Sequence, residues 1–144
     1  MAKFLRLLLS VLLGLVVGSA VNMGLVLISG KVIPPPAGAD VATMEGLKAS
    51  LHLFEAKHFV FPFLAHALGT LAGAFVAGLL APSRSVVPAY VVGGLFLLAG
   101  VANVITLPAP AWFSAVDLVV AYLPAAWLGQ VLATRTHRAR SSGA

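Results

Sequence analysis

Four long apolar stretches, residues 4–29, 59–81, 87–107 and 112–133, take up most of this chain. Each is about 20 residues or longer, enough to cross a hydrocarbon core of roughly 30 Å at a rise of ~1.5 Å per residue. The pattern predicts an all-α polytopic membrane protein. Four antiparallel transmembrane helices are expected, with one amphipathic surface helix in the first outer loop. The 144 residues leave room for that loop, residues 31–58, and for short tails, of which 134–144 follows the last span. A single membrane domain results.

Composition closes off the soluble alternative. Charged residues make up 9% of the chain and hydrophobic ones 60%, against a soluble norm of roughly 25% charged. So few polar groups could not cover a globule in water. The formal charge of +5 does not point to nucleic acid, because the charges are placed by side. Lys3 and Arg6 precede the first span, Arg84 lies between the second and third, and Arg135, Arg138 and Arg140 follow the fourth. Those six fall on one face of the membrane. The opposite face has Lys31, Lys48 and Lys57, balanced by Asp40, Glu45 and Glu55. The positive-inside rule then places both termini in the cytoplasm. Cysteine is absent, which removes disulfides, thiolate metal sites and cysteine nucleophiles.

The N-terminus has the form of a signal peptide, with Lys3 and Arg6 before an apolar run and Gly18-Ser19-Ala20 as a cleavage box. The apolar run nevertheless continues to Ile28, whereas a signal core spans only ~7–15 residues. An uncleaved first span is expected.

Small residues recur at helical spacing. Ser10, Gly14, Gly18 and Asn22 share one face of the first span, and His66, Gly69, Thr70, Gly73 and Ala77 mark the second. Ala89, Gly93, Gly100 and Asn103 do so in the third. Such residues let transmembrane backbones approach closely, where apolar burial alone drives nothing. They are the expected seams of the bundle, and they also offer a surface for a homo-oligomer. The lipid bilayer is the partner that the composition demands.

In the outer loop, Pro34-Pro35-Pro36-Ala37-Gly38 excludes helix. Asp40 is placed to cap a helix after it. Val41, Met44, Leu47, Leu51 and Phe54 then recur at helical spacing, with Glu45, Lys48, His52 and Glu55 opposite. This predicts an amphipathic helix on the membrane surface or over the bundle mouth.

Each span carries one strong polar group at a similar depth. Asn22, His66, Asn103 and Asp117 all fall roughly 6–11 Å below the outer boundary, at ~1.5 Å per residue. Ionisable residues inside a membrane are costly and face the bundle interior or a wet cavity. A His66–Asp117 pair would offset the desolvation that either charge suffers alone. The functional reading is a small outward-facing ligand or proton site. The plain alternative is interhelical hydrogen-bond glue. Tyr122 is a second candidate, beside Pro124, which removes the donor for the Val120 carbonyl and predicts a kink. Glu55 and His58 are rim candidates.

His52-x-x-Glu55-x-x-His58 has the residue types and spacing of a metal-ligand run. Lys57 disfavours a cation there, and the same residues serve as a solvated face, so no metal is assigned. No cofactor is implied either. G-x-S-x-G, H-E-x-x-H, Walker and Rossmann patterns are absent, and no catalytic residue is assigned.

The stretches HFVFPFLAHALGTLAGAFVA, from His58, and LPAPAWFSAVDLVVAYLPAAWLG, from Leu107, resemble a family of small, uncharacterised bacterial integral membrane proteins. Asn22 and the Pro34–Gly38 turn fit the same resemblance. It implies a four-span protein of the bacterial cytoplasmic membrane and carries no established activity. Small multidrug exporters also have four spans, but their membrane carboxylate lies in the first, where this chain has only Asn22. Three functional classes follow: small-ligand or ion handling, a structural or assembly subunit, and a membrane enzyme using His66 and Asp117 as acid and base.

Overall fold

The computed structural model describes residues 1–142, and among these it is entirely helical outside the turns and loops. Four helical stretches are long and apolar enough to cross a membrane. Helix α1 (Ala2–Val32) is about 46 Å long at 1.5 Å per residue, well beyond a hydrocarbon core. The short α2 (Met44–Ser50) lies in the first loop. Helices α3 (Val60–Leu80) and α4 (Val87–Thr106) form the second and third crossings. The fourth is split into α5 (Ala111–Val120) and α6 (Leu123–Ser142). Helix α6 runs on through the terminal arginines, so most of the expected tail continues the last helix.

Large apolar side chains point outward and small ones inward. Ile105, Val119 and Leu27 are 78, 70 and 69% exposed, whereas Ala65, Ala74, Ala77, Ala89 and Ala126 are fully buried. This inverts the soluble pattern because lipid solvates the leucines and valines as well as the protein interior would. What the interior offers instead is close backbone approach. Helix α3 is central and packs on α1, α4 and α6.

The α1–α3 seam is an antiparallel pairing of glycines. A methyl placed on Gly14 would stand 2.6 Å from the Gly73 carbonyl oxygen, and one on Gly73 would stand 2.7 Å from that of Gly14. Gly18 and Gly69 repeat the arrangement one turn further on, at 2.7 and 2.9 Å. Both glycine pairs are spaced by four residues, so the two ridges meet in register. Gly129 does the same for α6, where a methyl would lie 2.6 Å from the Leu71 carbonyl oxygen on α3. Gly93 admits Ala126, and Gly100 makes room for the Tyr122 ring.

The outer loop differs from expectation in two respects. The cap of α2 is Thr43, whose hydroxyl accepts from the Gly46 amide at 2.9 Å. Asp40 accepts instead from the Ala42 amide, while its own amide donates to the Ser50 hydroxyl. The chain between residues 40 and 50 is thereby closed on itself. The amphipathic helix is also short. It ends at Ser50, tightens to a 3-10 turn over Leu51–Leu53, and becomes extended at Phe54. A second 3-10 turn, Ala56–Phe59, leads into α3. The expected apolar face is therefore divided. Leu47, Leu51 and Phe54 turn down over the bundle mouth, while Val41 and Met44 are exposed.

Candidate functional site

Helices α3 and α5 bring His66 and Asp117 into direct contact. His66 Nδ1–H donates to the Asp117 carboxylate, 2.9 Å from Oδ1 and 3.0 Å from Oδ2. The Tyr122 hydroxyl donates to Oδ2 at 2.9 Å. Asp117 is 2% exposed and Tyr122 1%. A carboxylate so placed is tolerable only because both of its oxygens are bonded. The Tyr122 ring also stacks on His66, with centroids 5.7 Å apart. One turn along α3, the buried Thr70 hydroxyl donates to the His66 carbonyl.

The break in the fourth crossing makes this arrangement. Helix α5 ends at Val120, and the chain turns through Ala121 and Tyr122 before α6 begins. The expected kink beside Pro124 is present as a two-residue break, across which the Ala121 and Ala126 amides still donate to the Asp117 and Tyr122 carbonyls. It draws the Tyr122 ring inward, against Gly100 of α4, where no larger residue would leave space for it.

Two cavities open onto the group. One, of about 260 Å3, lies beneath the outer loop. Leu47, Leu51 and Phe54 roof it, and His66, Asn103 and Asp117 add polar groups to its lining. The other, of about 250 Å3, lies between α1 and α4 and is bordered by Asn22, His66, Asn103 and Tyr122. His66 and Asn103 therefore stand at the junction of both. Asn22 and Asn103 share this space without joining the hydrogen bonds of the His66–Asp117–Tyr122 group.

The rim candidates divide. His58 borders the roofed cavity, and its Nδ1 accepts from the Glu55 amide at 2.9 Å. The Glu55 carboxylate faces water and pairs with Lys57 at 3.1 Å, an exposed ion pair worth little. His52 is exposed, and its Nδ1–H donates to the Ala49 carbonyl. His52, Glu55 and His58 do not converge, because the helix that would have aligned them ends at Ser50. Among the described residues, no group of three or more His, Asp or Glu is placed to hold a metal.

No protein-family model, curated protein or solved structure matches this chain.

Gln130 is a buried polar residue that sequence reasoning passed over. Its amide nitrogen donates to the Thr134 hydroxyl, while Oε1 has no partner among the described residues. A glutamine inside an apolar span was itself the available signal. It packs at the α3–α6 seam near Gly78, at the opposite end of the bundle from His66.

Proposed function

We propose that this chain is a membrane protein that takes up a small ligand or a proton at the His66–Asp117–Tyr122 group. The observation that carries this reading is the setting of His66. A nearly fully buried carboxylate holds one ring nitrogen, while the ring borders two cavities. Helix-to-helix glue needs the bond but not the cavities. The roofed cavity exceeds the roughly 150 Å3 apolar cavity that admits benzene.

The segregation of basic residues supports a cytoplasmic placement of both termini, so that the roofed cavity opens on the outer side. The resemblance to small bacterial membrane proteins supports the bacterial cytoplasmic membrane as the location. Any homo-oligomer would use lipid-facing glycines such as Gly24 and Gly94, since Gly14, Gly18, Gly69 and Gly73 are consumed within the chain.

One observation favours a second reading. An imidazole oriented through Nδ1 by a carboxylate has the arrangement of a general base, and Ser114 borders the same cavity. Structural glue remains the third reading, with the same bonds and no ligand.

Thermal unfolding in detergent tests the first. A molecule that binds only the folded state raises Tm with its concentration. A panel of small amphiphiles, monovalent ions and a pH series should yield at least one concentration-dependent rise. Asp117→Asn and His66→Ala should abolish it. Identical responses in wild type and both variants would leave the group as glue.

A further inference from the structure

Two spaces meet at one pair of aromatic rings. Phe59, just before α3, and Phe113, near the start of α5, have ring centroids 4.7 Å apart. Both border the roofed cavity over His66. Both also border a groove of about 240 Å3 on the flank of α3 and α5, with Phe63, Leu64, Trp112 and Val116. That groove is lined by apolar side chains, and its edges belong to the lipid-facing surface, for Val60, Trp112 and Val116 are each about half exposed. Trp112 packs edge-on against both rings. Phe59 and Phe113 thus form the partition between a lipid-facing groove and an internal cavity.

The internal cavity has a mixed lining. Leu47, Leu51, Phe54 and Val104 give it apolar walls, and His58, His66, Asn103, Ser114 and Asp117 add polar groups. Asp117 lines the cavity, but both of its oxygens already accept from His66 and Tyr122, so neither is the open partner for a head group. With Nδ1–H held by Asp117, Nε2 is the ring nitrogen without a partner among the described residues. A hydroxyl head, which both donates and accepts, matches that nitrogen, and the matching body is apolar. A molecule of that kind dissolves in the bilayer, with its head near the interface. His66 lies about 9 Å inside the start of α3, six residues at 1.5 Å each.

We infer that the site takes a single-chain, hydroxyl-headed amphiphile directly from lipid, through the Phe59–Phe113 partition, and seats its head on His66. This rests on the reading of His66 as a ligand group.

The full chain in phosphatidylcholine vesicles is photolabelled with a decanol bearing a mid-chain diazirine, and adducts are mapped by mass spectrometry. Saturable adducts are expected inside the cavity, on Phe54 or Val104, competed by unlabelled decanol. His66→Ala should weaken saturation by about tenfold, the equivalent of losing one good polar contact. Phe113→Ala should speed cavity labelling several-fold, and Phe113→Leu, which keeps the wall apolar, should fall between. If both Phe113 variants label at the wild-type rate while His66 dependence persists, lateral access is wrong and the ligand site stands. Undiminished saturation in His66→Ala overturns the assignment of the head. If neither the decanol probe nor a water-soluble butanol analogue gives saturable adducts in the cavity, both readings fall.

Discussion

Tyr122 bonds to Asp117 from five positions further along the chain, a spacing that an unbroken helix would splay by about 140°. The interruption between α5 and α6 removes that mismatch. Pro124 cannot donate to the Val120 carbonyl. The chain turns at Ala121–Tyr122, and the phenol swings back to within 2.9 Å of Oδ2. A backbone defect is thus what completes the carboxylate's hydrogen bonding.

Tyr122→Phe should lower stability by about 1 kcal/mol, the scale of an interhelical hydrogen bond in lipid. Pro124→Ala, which lets the helix run through, should lose the same bond by turning the ring away. Both are read as Tm in detergent. A Tyr122→Phe protein as stable as wild type would show that the hydroxyl contributes nothing.

The glycine pairs make a sharper prediction. Gly73→Leu should disrupt the α1–α3 seam and cost at least about 1–3 kcal/mol, since the added atoms meet backbone that cannot yield. Gly94 has nothing within 4 Å of its missing side chain, so Gly94→Leu should stay within about 0.5 kcal/mol of wild type. Equal effects at the two positions would remove the seam argument.

His66 and Asp117 should be energetically coupled. Asp117→Asn takes the anionic partner from His66, and His66→Ala leaves the carboxylate with Tyr122 alone. The double variant should be less damaging than the sum of the singles, by about 0.5–3 kcal/mol. Strict additivity in a detergent unfolding cycle would mean that the contact carries no energy.

Topology can be tested with introduced cysteines, because the chain has none of its own. Ala49 is exposed beside the buried Ser50, and Ser142 is exposed at the end of α6. Ala49→Cys and Ser142→Cys should react with an impermeant reagent from opposite sides of sealed vesicles. Reaction from the same side would refute the four-crossing arrangement.

The sequence by itself determined how many times the chain crosses, where each crossing begins, and which faces are narrow enough to pack. Run length and the spacing of small residues are properties of one helix at a time, so Gly14, Gly18, Gly69 and Gly73 were legible as seams before their partners were known. Constant rise per residue also put Asn22, His66, Asn103 and Asp117 at similar expected heights, and each of them borders one or both of the cavities that meet at His66. Only the tertiary structure decided which of them touch. Hydrogen bonding depends on helix rotation and separation to within about an ångström, which no linear pattern records. His66 and Asp117 meet, the two asparagines line the adjoining space, and Tyr122 joins only because the helix breaks. The roof over the cavity was likewise a tertiary outcome. Its helical periodicity was real, but tying Asp40 to Ser50 and turning the chain into α3 ended the helix early. That early end set Leu47, Leu51 and Phe54 over His66 and kept His52, Glu55 and His58 apart.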